Sequence, residues 1–103
     1  MNSNEPRITG PTIKVLRALL ESPKIELSGA EVARATKLAS GTLYPILLRL
    51  EHAGWLESHW ESEDPKTLGR PRRRFYKPTA LGIKKANLAM DELQPDFRRL
   101  AWA

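Results

Sequence analysis

Residues 28–54 read SGAEVARATKLASGTLYPILLRLEHAG, and their pattern decides the fold. Ser28-Gly29-Ala30-Glu31 has capping-box chemistry: the serine oxygen accepts from the third backbone N–H and the glutamate reaches back. A helix is therefore expected from about Gly29 to Lys37, with Val32 and Ala33 facing inward. Leu38-Ala39 is a tight connection, and Ser40 is a suitable N-cap for a second helix over about Gly41 to Ala53. Leu43, Ile46, Leu47 and Leu50 fall on one face of that helix, and Gly54 suits the left-handed residue that ends it. Pro45 removes one backbone hydrogen bond, so a local distortion is expected there. Two helices joined by so short a turn form a helix-turn-helix.

Working outward toward the N-terminus, Lys24 to Leu27 alternates weakly, as in a very short strand. Before it, Thr12 to Glu21 carries Ile13, Leu16, Leu19 and Leu20 at helical spacing, with Thr9 or Thr12 as cap and Ser22-Pro23 as stop. Residues 1–10 read as a flexible arm. Toward the C-terminus, Trp55 to Glu61 and Arg73 to Lys77 read as two strands of a β-hairpin, joined by a polar loop from Ser62 to Pro71. Thr79 caps a last helix, in which Ile83, Ala86, Met90, Leu93, Phe97 and Leu100 recur at alternating steps of three and four. Such a heptad seam packs against another helix, here assigned to a second copy of the chain through Ile83, Met90, Leu93, Phe97, Leu100 and Trp102. Pro95 is expected to kink or restart this helix. The fold class is thus mainly α with a small β-hairpin (α+β): a winged helix-turn-helix over residues 11–78 and a dimerisation helix over 79–103.

Composition narrows the chemistry. The chain has 103 residues, enough for one domain, with 17 Lys plus Arg against 12 acidic residues and a net charge of +5. A basic chain favours polyanions. There is no cysteine, which excludes disulfides and thiolate chemistry. No apolar run approaches the roughly 20 residues that span a bilayer, and Met1 to Thr9 lacks a signal-peptide core. A cytoplasmic protein with no membrane partner is the expectation. His52 and His59 stand seven apart on different elements without a carboxylate cluster, so no metal site is expected. Glu61 and Asp64 do not make an acid/base pair, and no nucleophile triad or phosphate loop occurs, so the expectation is neither an enzyme nor a cofactor protein.

The charge is concentrated where a helix-turn-helix would use it. Arg70, Arg72, Arg73, Arg74 and Lys77 put five cations in eight residues of the hairpin. Gly69 and Pro71 hold its tip extended, leaving the arginines free for phosphates or the minor groove. Arg74 shares strand parity with Tyr76, so an inward, supporting role is the alternative for it. Ser40, Gly41, Thr42, Tyr44 and Pro45 open the second helix of the unit, and Arg49 lies further along it off the apolar stripe. Hydroxyls and small residues there suit close approach to double-stranded DNA. Trp55, Trp60 and Trp102 could line a ligand pocket, but core or interface roles are favoured. A protein-interaction module or a small-molecule sensor on the same fold are the rival readings.

These residues carry a family resemblance. Gly41-Thr42-Leu43-Tyr44-Pro45, Leu47, Leu50-Glu51 and Gly54-Trp55-Leu56 resemble the core signature of PadR-family regulators. Gly69-Arg70-Pro71-Arg72-Arg73-Arg74-Phe75-Tyr76, followed by Thr79 and Gly82, is similar to that family's wing and its exit into the C-terminal helix. The match spans roughly residues 11–90. It implies a homodimeric repressor, a palindromic operator and release by a small, often aromatic, effector. It also implies that Ser40, Thr42, Tyr44 and Pro45 face the groove or backbone and that Arg70, Arg72 and Arg73 serve the wing. Three positions depart from the pattern. Leu48 stands where a polar residue is usual, Pro78 replaces an aliphatic residue and should shorten the wing strand, and Pro95 lies in a brief C-terminal arm.

Overall fold

The computed structural model describes the backbone of residues 5–102 and the side chains of residues 5–92. The elements run α1 (Gly10–Leu20), β1 (Leu27–Ser28), α2 (Gly29–Thr36), α3 (Ser40–His52), β2 (Leu56–Trp60), α4 (Pro65–Leu68), β3 (Arg74–Pro78) and α5 (Ala80–Trp102). The three strands form one antiparallel sheet in the order β1-β3-β2, with Leu27 opposite Tyr76, and Ser58 opposite Tyr76 from the other side. The fold is a winged helix-turn-helix of α+β class.

The helices start where local chemistry permits. Thr9 caps α1, so the helix begins inside the stretch read as an arm; Ile8 packs on the core and Glu5 pairs with Lys85 at 2.7 Å. The capping box on α2 forms in full: Glu31 N–H donates to Ser28 Oγ at 3.1 Å and Ser28 N–H to Glu31 Oε1 at 3.0 Å. That bond and the serine hydroxyl hold the Glu31 carboxyl below its ordinary pKa. Lys37 ends α2 in the left-handed region at φ 60. The cap of α3 differs from expectation. Ala39 occupies the N-cap position and Ser40 is the first helical residue, so the Ser40 hydroxyl is not used as the cap. Pro45 sits inside α3 without ending it.

The core gathers Val15, Leu16 and Leu19 of α1, Val32 of α2, and Leu43, Ile46, Leu47 and Leu50 of α3. Trp55, Leu56, Tyr76 and Ala86 complete it from the hairpin and α5. Burying each of the larger side chains contributes about 1.5–3 kcal/mol. Val15 completes the α1 face, whereas Ile13, expected inside, is only half-buried. Pro78 does not shorten β3. It is that strand's last residue, opposite Leu56 and buried. β1 reaches only Tyr76 and Phe75, so the missing N–H of Pro78 deprives no bond on that side.

The hairpin leads into α5 through one joint. Thr79 Oγ1 donates to Gly54 O at 2.6 Å and accepts from Gly82 N–H at 2.9 Å, while Thr79 N–H donates to Trp55 O at 3.0 Å. A Cβ on Gly82 would overlap the Trp55 carbonyl, so only glycine lets α5 approach this closely. α5 is a single helix through Pro95. Its described half turns the heptad line inward: Ala86 is fully buried and Met90 packs on the chain's own core, with Ile83 half-buried. The positions Leu93, Phe97, Leu100 and Trp102 lie outside the described side chains.

Candidate nucleic-acid interface

α3 presents a mostly uncharged outer face. Ser40, Gly41, Thr42, Tyr44, Pro45, Leu48, Arg49 and His52 are all exposed. Tyr44 is 46% exposed, and its ring lies across Gly29 at the start of α2; a Cβ there would meet Tyr44 Oη at 2.6 Å. Gly29 therefore lets the two helices close around the tyrosine, a role that sequence spacing alone does not show.

The wing is built around a carboxylate. Glu61, just after β2, accepts from Nη1 and Nη2 of Arg70, at 2.6 and 2.9 Å, and from the backbone N–H of Arg73 at 2.8 Å. Its own N–H donates to Arg73 O at 2.9 Å. The Arg70 guanidinium, with the Arg73 N–H, brings the Glu61 pKa down to about 2. Arg70 is thus paired within the wing, its side chain still partly exposed. Asp64 is a structural residue as well: it accepts from Lys66 N–H at 2.9 Å and caps the single turn of α4. Arg72 is tethered more lightly, donating from Nε to the Glu63 carbonyl at 2.9 Å, and remains exposed beside Arg73.

A second carboxylate fixes the wing against α3. Glu51, in the last turn of α3, accepts from the Ser58 hydroxyl of β2 and lies 3.4 Å from Arg74 Nη2 of β3. Arg74 also stacks over the Trp60 ring at 5.2 Å, its cross-strand partner. Arg74 therefore takes the supporting role that strand parity allowed. Trp55 is core, while Trp60 is exposed on the wing. On the outer part of the sheet His59 pairs with Glu26 at 2.9 Å and leans on Phe75 at 5.9 Å, and the carboxylate raises the imidazole pKa. Among the described residues no three His, Asp or Glu side chains gather to hold a metal ion.

These pieces enclose one groove of about 450 Å3. Ser28, Gly29 and Ala30 of the α2 start, Tyr44 of α3, Trp60, Tyr76 and Arg72, Arg73 and Arg74 of the wing line it. The helix-turn-helix and the wing cations thus share one face.

Residues 26–88 match the sequence model of the transcriptional regulator PadR-like family, more than half of the chain. This chain belongs to the PadR-like family. Among curated proteins none matches the sequence. Solved structures bear out the fold. A PadR family transcription regulator from Clostridium difficile superposes with a TM-score of 0.72 at 21% identity, over 91% of this chain and 97% of the other. Staphylococcus aureus MepR in its DNA-binding conformation gives 0.69 at 19% identity, over 91% of this chain and 64% of MepR. BpsR of Bordetella bronchiseptica, whose DNA binding is regulated by 6-hydroxynicotinic acid, gives 0.65 at 19%, over 93% and 60%. PadR regulators are winged-helix DNA-binding proteins of transcription. Among the described residues no helix is long and apolar enough to cross a membrane.

Proposed function

We propose that this PadR protein is a homodimeric repressor that binds a palindromic DNA operator and is released by a small aromatic effector, with no catalytic step of its own. One observation carries the reading: Tyr44 from α3 and Arg72 and Arg73 from the wing line a single groove. An α3 lowered into the major groove brings these arginines onto the flanking backbone in the same motion. Ser40, Gly41, Thr42, Tyr44 and Pro45 approach the bases or backbone, Arg49 reaches a phosphate, and Arg70 acts through the wing's shape.

The dimer joins through α5. Since Ala86 and Met90 are used at home, the partner contact falls to the later positions of the same heptad line. Leu93 and Leu100, which repeat the heptad position of Ala86, and Phe97, which repeats that of Met90, make it in this proposal together with Trp102. The effector is supported by BpsR, a protein of related fold that answers to an aromatic acid.

Selection of duplexes from a random pool tests the whole reading. The expected product is an inverted repeat with half-sites about one turn, roughly 34 Å, apart. Its Kd should rise steeply between 50 and 200 mM salt, in proportion to the phosphates contacted. Recovery of no preferred duplex, or of unpaired single sites only, would remove the operator or the dimer from the mechanism.

A further inference from the structure

We propose that α3 reads thymine methyl groups through an apolar ridge, Pro45 and Leu48, at the centre of its outward face; this rests on the DNA-binding reading above. The buried residues of α3 are Leu43, Ile46, Leu47 and Leu50. At about 100° per residue, the direction opposite to them is occupied by Gly41, Pro45, Leu48 and His52. All four are exposed. Tyr44 flanks this line on one side, and Thr42 and Arg49 on the other. A helix held by its inner face on the core and lowered into the major groove therefore meets the groove floor with the central line, not with its polar flanks.

The first three positions of that line carry no polar side chain, and His52 closes it at the last residue of α3. Gly41 contributes no side chain, and Pro45 and Leu48 contribute only carbon. Leu48 is 54% exposed, on a face bracketed by Arg49 and the wing arginines that otherwise suits a polyanion. In the major groove an apolar atom finds one distinctive partner among the base edges, the C5-methyl of thymine. Gly41, lying one turn before Pro45, lets the backbone come close enough for the ridge to reach it. The inner positions of each half-site are thus expected to be thymine, chosen by contact and not by hydrogen bonding.

The test uses duplexes selected from a random pool by the full chain. Each inner thymine is replaced singly by deoxyuridine, which keeps every hydrogen-bonding group and removes only the methyl. Wild-type affinity is expected to fall about fourfold for each contacted methyl, the value of one buried methylene-sized group. Leu48→Ala, exposed and so expected to melt with the wild type, should lose this sensitivity. Arg49→Ala should bind more weakly yet keep it. Selected duplexes without inner thymine, uniform tolerance of deoxyuridine, or an undiminished response in Leu48→Ala each overturn the ridge while leaving DNA binding intact. Failure to select any duplex overturns the DNA-binding reading and the ridge with it.

Discussion

Glu61 shows how one residue settles the use of several others. Its depressed pKa, about 2 against an ordinary 4.5, has a definite sign for the wing. The ion pair with Arg70 is fully present above the unfolded carboxyl's pKa and is lost as pH falls from there toward 2. An NMR titration should find the Glu61 carboxyl ionising near 2 in the wild type and back toward the ordinary range in Arg70→Ala. A second consequence opposes simple electrostatics. Glu61→Gln adds one positive charge to the wing, which alone would strengthen binding to a polyanion. Because the carboxylate holds Arg70 and the Arg73 backbone, affinity for a selected duplex should instead fall roughly tenfold, about the effect of losing one good charged hydrogen-bonded contact. Tighter binding by Glu61→Gln in an anisotropy titration would mean that the wing does not depend on its staple. The arginine cluster itself was plain in the sequence. Which arginine was free was not, because the choice depends on a carboxylate nine residues from Arg70 across a hairpin, and on a loop geometry that no short-range pattern encodes.

At the scale of elements, legibility followed the kind of signal. The capping box at Ser28 and the α3 stripe are local and repeat at a fixed period, and both formed as read. The α3 cap slipped by one residue because Ala39, not Ser40, adopts the extended N-cap conformation. The heptad line of α5 was the ambiguous one. Period records only that a helix packs on something apolar, and Ala86 and Met90 satisfy it within the same chain. The joint between β2 and α5 was hidden in the sequence for another reason. Gly82 lies in what reads as the first turn of a helix, where glycine is merely unfavourable, whereas its need comes from the Trp55 carbonyl arriving from a distant segment. Gly82→Ala should therefore not gain the usual helix propensity. It should force α5 away from the hairpin and cost about 2–3 kcal/mol, as overpacking against backbone does. Thermal melting should show Tm lowered by at least about 10 °C. A Tm at or above that of the wild type would mean that α5 rides further from Trp55 than the geometry requires.

For the whole molecule the question is where the net charge of +5 acts. Several of the cations are already matched: Arg70 by Glu61, Arg74 by Glu51 and Lys85 by Glu5. Arg72 and Arg73 of the wing are exposed and line the groove, and Arg49 is exposed on the other flank of α3. A phosphate contact is counted by the slope of log affinity against log salt, at about 0.9 per phosphate. Arg72→Gln with Arg73→Gln removes two such contacts from each subunit, so the slope for a dimer on its operator should flatten by roughly four, and by the same amount on unrelated duplexes. Arg70→Gln with Glu61→Gln keeps the net charge and removes no phosphate contact. It should lower affinity through loss of wing order while the slope stays where it was. Measured together over 50–300 mM salt, the two double variants separate cations that touch DNA from cations that build the wing. An unchanged slope in the first variant would move the phosphate contacts off the wing, and a flattened slope in the second would return Arg70 to the DNA.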